Sequence, residues 1–130
     1  MKKILILLLT FLLVGCSAGV ETADPSKLEI QEGLPEWMEY WRRWIYAADC
    51  STENVEVIKQ VRNIISEMEL GDEVNQPIDD FTDIIIFHYE DGSTAMYEFE
   101  GPWFVAKDGT HYEIRGDLEG LRGILDELVK

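Results

Sequence analysis

Residues 35–48 read Pro35-Glu36-Trp37-Met38-Glu39-Tyr40-Trp41-Arg42-Arg43-Trp44-Ile45-Tyr46-Ala47-Ala48, and the way this stretch folds decides the architecture. Two periods compete in it. Trp37, Tyr40, Trp41, Trp44, Ile45 and Ala48 recur at three- and four-residue steps, which is the spacing of a single helical stripe. Pro35 suits a first helical position, and Glu39 with Arg43 forms a favourable i,i+4 pair. Against this, tryptophan, tyrosine and isoleucine are strand-prone, and Trp44, Tyr46 and Ala48 also alternate with Ile45 and Ala47. We expect a helix, with a strand over residues 40–48 as the alternative.

Toward the C-terminus the pattern is plainer. Ser51 or Thr52 can cap a helix whose apolar positions Val55, Ile58, Val61, Ile65 and Met68 share a face, with Gly71 just past its end. A linker with Asn75 and Pro77 follows, after which the period changes from 3.6 to 2. Ile84 to Tyr89 and Ala95 to Glu100 read as strands joined at Asp91-Gly92. Trp103 to Ala106 and His111 to Ile114, joined at Asp108-Gly109, repeat the plan. Asp117 then caps a helix with Leu118, Leu121, Leu125 and Leu128 on its buried side. The expected fold is therefore α+β: a four-stranded antiparallel meander of two tandem hairpins with helices packed on one face. If residues 40–48 form a strand, the order becomes β-α-β4-α, which resembles the fold order of the TATA-binding-protein class. That resemblance concerns topology alone.

Toward the N-terminus, Lys2 and Lys3 precede an apolar run from Ile4 to Val14 broken only by Thr10, the layout of an export signal. As a helix this run would span roughly 16 Å, about half of a hydrocarbon core, so a transmembrane reading is the weaker one. Leu13-Val14-Gly15-Cys16 closes the run and resembles the lipobox of bacterial lipoproteins: a branched apolar residue, small residues before the cut, and an obligatory cysteine. The resemblance covers about the first 20 residues. It implies cleavage before Cys16, a diacylglycerol on the Cys16 sulfur, and a further acyl chain such as palmitate on the freed amine. Two or three chains anchor a protein stably, at about 0.8 kcal/mol per buried CH₂. The expected organisation is a signal peptide over 1–15, a lipidated Cys16 and flexible tether over 16–32, and a single domain over 33–130. The expected location is the cell membrane, facing outside the cytoplasm.

The whole chain of 130 residues carries 26 acidic and 11 basic side chains, a net charge of −15. Removal of the signal takes two lysines and no acid, which leaves 115 residues with a net charge of −17. Such a body is not expected to bind nucleic acid, which needs clustered cations, and is repelled by anionic lipid head groups. The whole chain's hydrophobic content of 46% with 14 aromatic residues implies a packed core and excludes a disordered acidic chain.

No catalytic constellation is legible, and neither metal nor cofactor is expected. His88 and His111 lack the partner spacing that zinc requires, and read as half-exposed strand residues. Asp72, Glu73, Asp79, Asp80 and Asp83 lack the spacing of a calcium loop. Cys50 sits beside Asp49 without a histidine in sequence proximity, and no nucleophile elbow is present. The aromatic set is the strongest functional signal. Four tryptophans exceed the needs of a small core, and aromatics supply large contact areas for little lost entropy. Trp37, Tyr40, Trp41, Trp44, Trp103 and Phe104 form the candidate binding surface. The expected role is a lipid-anchored envelope binding module for a protein, peptide or glycan. The alternatives are an accessory or inhibitory subunit of an envelope complex, or an envelope hydrolase.

Overall fold

A computed structural model describes residues 27–43, 48–78 and 81–130. Seven strands and two helices follow one another along these residues. They are β1 (Trp37–Arg43), β2 (Ala48–Thr52), α1 (Val55–Ser66), β3 (Glu69–Val74), β4 (Thr82–His88), β5 (Thr94–Glu100), β6 (Trp103–Val105), β7 (His111–Arg115) and α2 (Leu118–Leu128). The strands form a single antiparallel sheet in the order β2-β1-β4-β5-β6-β7-β3.

This corrects the expected α+β architecture of a four-stranded meander with helices on one face. The sheet has seven strands and the described residues are mostly β. The order β-α-β4-α is corrected too, because the Trp-rich stretch supplies β1 and leads into a second strand before α1, and a further strand follows α1. β4 to β7 are consecutive neighbours; β1 and β2 extend the sheet at one edge, and β3 closes the other against β7.

The Trp-rich stretch is a strand because both of its faces are needed. Met38 and Tyr40 point to one side and are fully buried, while Trp37, Glu39 and Trp41 share the other side by alternation. A helix would have placed Tyr40 on the same stripe as Trp37 and Trp41; the pleat separates them. Aromatic residues gain most where they pack on a pleated surface, and β4 provides that surface through Trp37↔His88, Glu39↔Ile86 and Trp41↔Ile84.

Helix α1 starts at Asn54, whose side chain accepts hydrogen bonds from the Glu56 and Val57 amides at 3.0 and 3.4 Å. Thr52 Oγ1 accepts one from the Asn54 amide at 3.1 Å, so Thr52 supports the cap. Ile58, Val61 and Ile65 are buried, and Val55 is exposed. The chain then enters β3 almost at once, and Gly71 lies inside that strand. A Cβ at Gly71 would come within 3.0 Å of Glu113 Cβ on β7, so the close approach of β3 and β7 there requires glycine.

The two hairpin turns share one geometry. Gly92 and Gly109 have φ of 87° and 89°, a region that favours glycine. The Asp91 and Asp108 carboxylates accept from the Ser93 and Thr110 amides, both at 2.9 Å. The Ser93 hydroxyl, donating to Asp91 at 2.6 Å, together with the Ser93 amide lowers the Asp91 carboxyl, and the Thr110 amide lowers that of Asp108.

The core occupies one face of the sheet. Met38, Tyr40, Ile85, Phe87, Tyr97 and Phe99 meet Ile58, Val61 and Ile65 of α1, Leu121 and Leu125 of α2, and Met68. Each fully buried large side chain contributes on the order of 1.5–3 kcal/mol. The contacts of this body begin before Gly33: Leu28 is buried in the cluster, and the Glu29 carbonyl accepts from the Tyr97 hydroxyl at 2.8 Å. Arg62 Nη2 donates to the Gln31 carbonyl at 3.0 Å.

Candidate functional site

Alternation along five strands assigns the second face of the sheet without ambiguity. Partners in antiparallel register point to the same side, so this face carries Trp37, Glu39, Trp41 and Arg43 from β1 and Ile84, Ile86 and His88 from β4. β5 adds Thr94, Met96, Glu98 and Glu100, β6 adds Trp103 and Val105, and β7 adds His111 and Glu113. The buried residues of both helices and Leu28 all join the cluster on the opposite face. The helices therefore pack on the opposite side of the sheet, and the face that carries Trp37, Glu39 and Met96 is called the open face.

Two clusters of tryptophan, histidine and glutamate organise it. In the first, the Trp37 and His88 rings stack with centroids 3.6 Å apart and planes within 5°. His88 Nε2 lies 2.5 Å from Glu39 Oε1, and Trp41 Nε1 donates to Glu39 Oε2 at 3.1 Å. The Glu39 carboxylate thus ties two tryptophans and a histidine into one rigid patch. In the second, the Trp103 and His111 rings meet edge to face at 6.3 Å, and His111 Nε2 lies 3.1 Å from Glu100 Oε1. Between the clusters run Ile84, Ile86, Met96, Glu98 and Val105. Ile84 is only 6% exposed, whereas Met96 is 52% exposed. The Glu98 carboxylate has no hydrogen-bond or ion-pair partner among the described residues.

On the core face the polar chemistry closes on itself. Asp83 is 1% exposed and accepts from the Tyr40 hydroxyl at 2.6 Å, Arg42 Nε at 2.9 Å and Arg122 Nε at 2.9 Å. Arg42 Nη1 also pairs with Asp126 at 2.7 Å, and Arg122 Nη2 donates to the Gly101 carbonyl at 2.5 Å. The two guanidinium groups lie 5.5 and 4.3 Å from the Phe81 ring centroid. Two arginines against two aspartates make the group neutral, and it fastens α2 to β1 and β4. Burial, reinforced by Asp83, pushes the Tyr40 phenol well above the ordinary tyrosine range. Burial works against the charge on Arg42, but hydrogen bonds to Asp83 and Asp126 outweigh it and hold that group up.

The structure sorts the predicted surface residues. Trp37, Trp41 and Trp103 lie on the same, open face, with Trp103 three strands away from the other two. Tyr40 and Phe104 face the core side, Tyr40 in the Asp83 group and Phe104 tilted against Phe99 at 5.8 Å. Trp44 and Cys16 lie outside the described residues, as do Asp79 and Asp80. Asp72 and Glu73 are exposed on β3. His88 and His111 share the open face but stand three strand spacings apart and four residues out of register, about 20 Å. Among the described residues no three metal-capable side chains gather, and no helix is long and apolar enough to cross a membrane. Cys50 lies on β2 and packs against the core.

Sequence reasoning missed Glu39, His88 and Glu98 as members of the aromatic face, and Asp83 as the centre of the core-side group. Strand parity was the signal: Glu39 alternates in step with Trp37 and Trp41, and His88 alternates with Ile84 and Ile86. Comparison of the chain with family models, with curated proteins and with solved structures gives no match.

Proposed function

We propose that the chain is a small lipid-anchored cell-envelope lipoprotein whose folded body acts as a binding module through the open face of its sheet. One observation carries the binding reading. Three tryptophans, two isoleucines, a methionine and a valine occupy the sheet face opposite the helices, while the core is completed on the helical face. A surface of this kind is the signature of a recognition site. The two histidine–glutamate pairs hold its aromatic rings in place before any partner arrives, which lowers the ordering cost of binding.

The anchor reading rests on Lys2-Lys3, the apolar run and Leu13-Val14-Gly15-Cys16. A body of net charge −17 gains nothing from an anionic bilayer, so the acyl chains on Cys16 supply the membrane attachment. Cys16→Ala should abolish labelling by a fatty-acid analogue and move the chain from the membrane fraction to the soluble one. Unchanged labelling and fractionation would remove the anchor from the account.

A further inference from the structure

The geometry points to the chemistry of the partner: the open face takes a polypeptide segment that presents lysine or arginine beside apolar side chains. This rests on the open face being the recognition surface. Charge supplies the first argument. The chain has 26 acidic against 11 basic residues, and the open strands carry Glu39, Glu98, Glu100 and Glu113 against Arg43 and Arg115. A second copy of this chain would bring these glutamates together and is disfavoured by repulsion. Anionic lipid is disfavoured for the same reason.

Glu98 supplies the second argument. It stands half-buried in the middle of the face, in register with Ile84 on one side and Val105 on the other. A carboxylate in apolar company without a partner is costly, and an incoming cation relieves that cost. Trp41 lies two strand spacings away in the same row, about 10 Å, and Trp103 sits on the strand next to Glu98. A cation at Glu98 therefore has tryptophan on both flanks.

The molecule's own arginines supply the third. Arg42 and Arg122 lie over Tyr40 and Phe81 on the core side. Among the described residues no such cation covers Trp37, Trp41 or Trp103, although tryptophan is the strongest partner of a cation. The open face thus holds the acceptors of cation–π and charge-assisted contacts, and the partner brings the cations.

The test uses the full chain in detergent micelles and follows tryptophan fluorescence against a short end-capped peptide of alternating lysine and valine. A matched glutamate–valine peptide and a β-1,4-linked N-acetylglucosamine tetramer serve as controls. The lysine peptide should bind saturably, the controls at least about tenfold more weakly, and raised salt should weaken the complex. Glu98→Gln should weaken it about tenfold, Met96→Lys by a similar factor, and Met96→Glu should tighten it about threefold. Met96 is exposed, so its variants test the charge sign in a folded chain. Affinity indifferent to all three substitutions would overturn the cationic partner. If the sugar binds instead and Trp41→Ala removes that binding, the face stands and the cationic chemistry falls. If the lysine peptide binds with Trp41→Ala and both Met96 variants unchanged, the open face itself is the wrong surface.

Discussion

The two faces of one sheet, built from alternate residues of the same strands, do opposite things with polar chemistry. On the core face Asp83, Arg42, Arg122, Tyr40 and Asp126 satisfy one another, and the group neutralises its own charge. On the open face the histidine–glutamate pairs hold aromatic rings, while the half-buried Glu98 carboxylate has no partner among the described residues and Met96 is exposed. The difference teaches that nearness in the chain does not decide which face of the sheet an aromatic residue serves. Tyr40 and Trp41 are neighbours in the chain, yet one closes the fold and the other is offered outward.

The comparison breaks most visibly at Asp83. Asp83→Ala leaves two arginines and a tyrosine hydroxyl without their acceptor, and should destabilise the fold by about 3–5 kcal/mol. Denaturant unfolding measures this, and a loss similar to that of an ordinary surface substitution would show that the group is not a fastening.

A smaller effect should appear with alkali. Burial pushes the Tyr97 phenol from 10.0 up to about 12 and raises Tyr40 and Tyr89 as well. A folded-state pKa above the unfolded one means that the neutral phenol is favoured by folding. That contribution is complete below pH 10 and is lost as the pH rises toward about 12. Of the five tyrosines, Tyr40, Tyr89 and Tyr97 should therefore ionise only as the chain unfolds, as phenolate absorbance and circular dichroism recorded together will show. Complete ionisation near pH 10 with the fold intact would contradict the buried placement.

The smallest effect on stability belongs to the open face. Met96→Lys should change stability by no more than about 0.5 kcal/mol, because the side chain is half in solvent. A large loss would mean that this face is part of the core.

Much of the sheet was legible where local chemistry is decisive. Asp91-Gly92 and Asp108-Gly109 impose positive φ and a carboxylate-to-amide hydrogen bond, so both turns can be read from the chain. The leucines of α2 and the isoleucines of α1 announce their buried sides by period. The Trp-rich segment was not legible in this way. Its apolar residues serve both faces, so neither period stands out, and only the pairing with β4, more than 40 residues away, decides between them. β3 was hidden for a related reason. Glu69-Leu70-Gly71-Asp72-Glu73-Val74 is polar with one glycine, and β7 makes it a strand. Half of the candidate surface was legible as an aromatic set, but composition could not say which side of the sheet each ring would take.

Photocrosslinking from two positions tests the central claim most directly. A benzophenone side chain at Met96 samples the open face, and the same group at exposed Lys59 of α1 samples the opposite side of the body. In cells that express the full chain, irradiation should yield a discrete crosslinked species from position 96 and none from position 59. That species should disappear with Trp41→Ala. The same species from position 59, with none from position 96, would contradict the account and move recognition to the helical side.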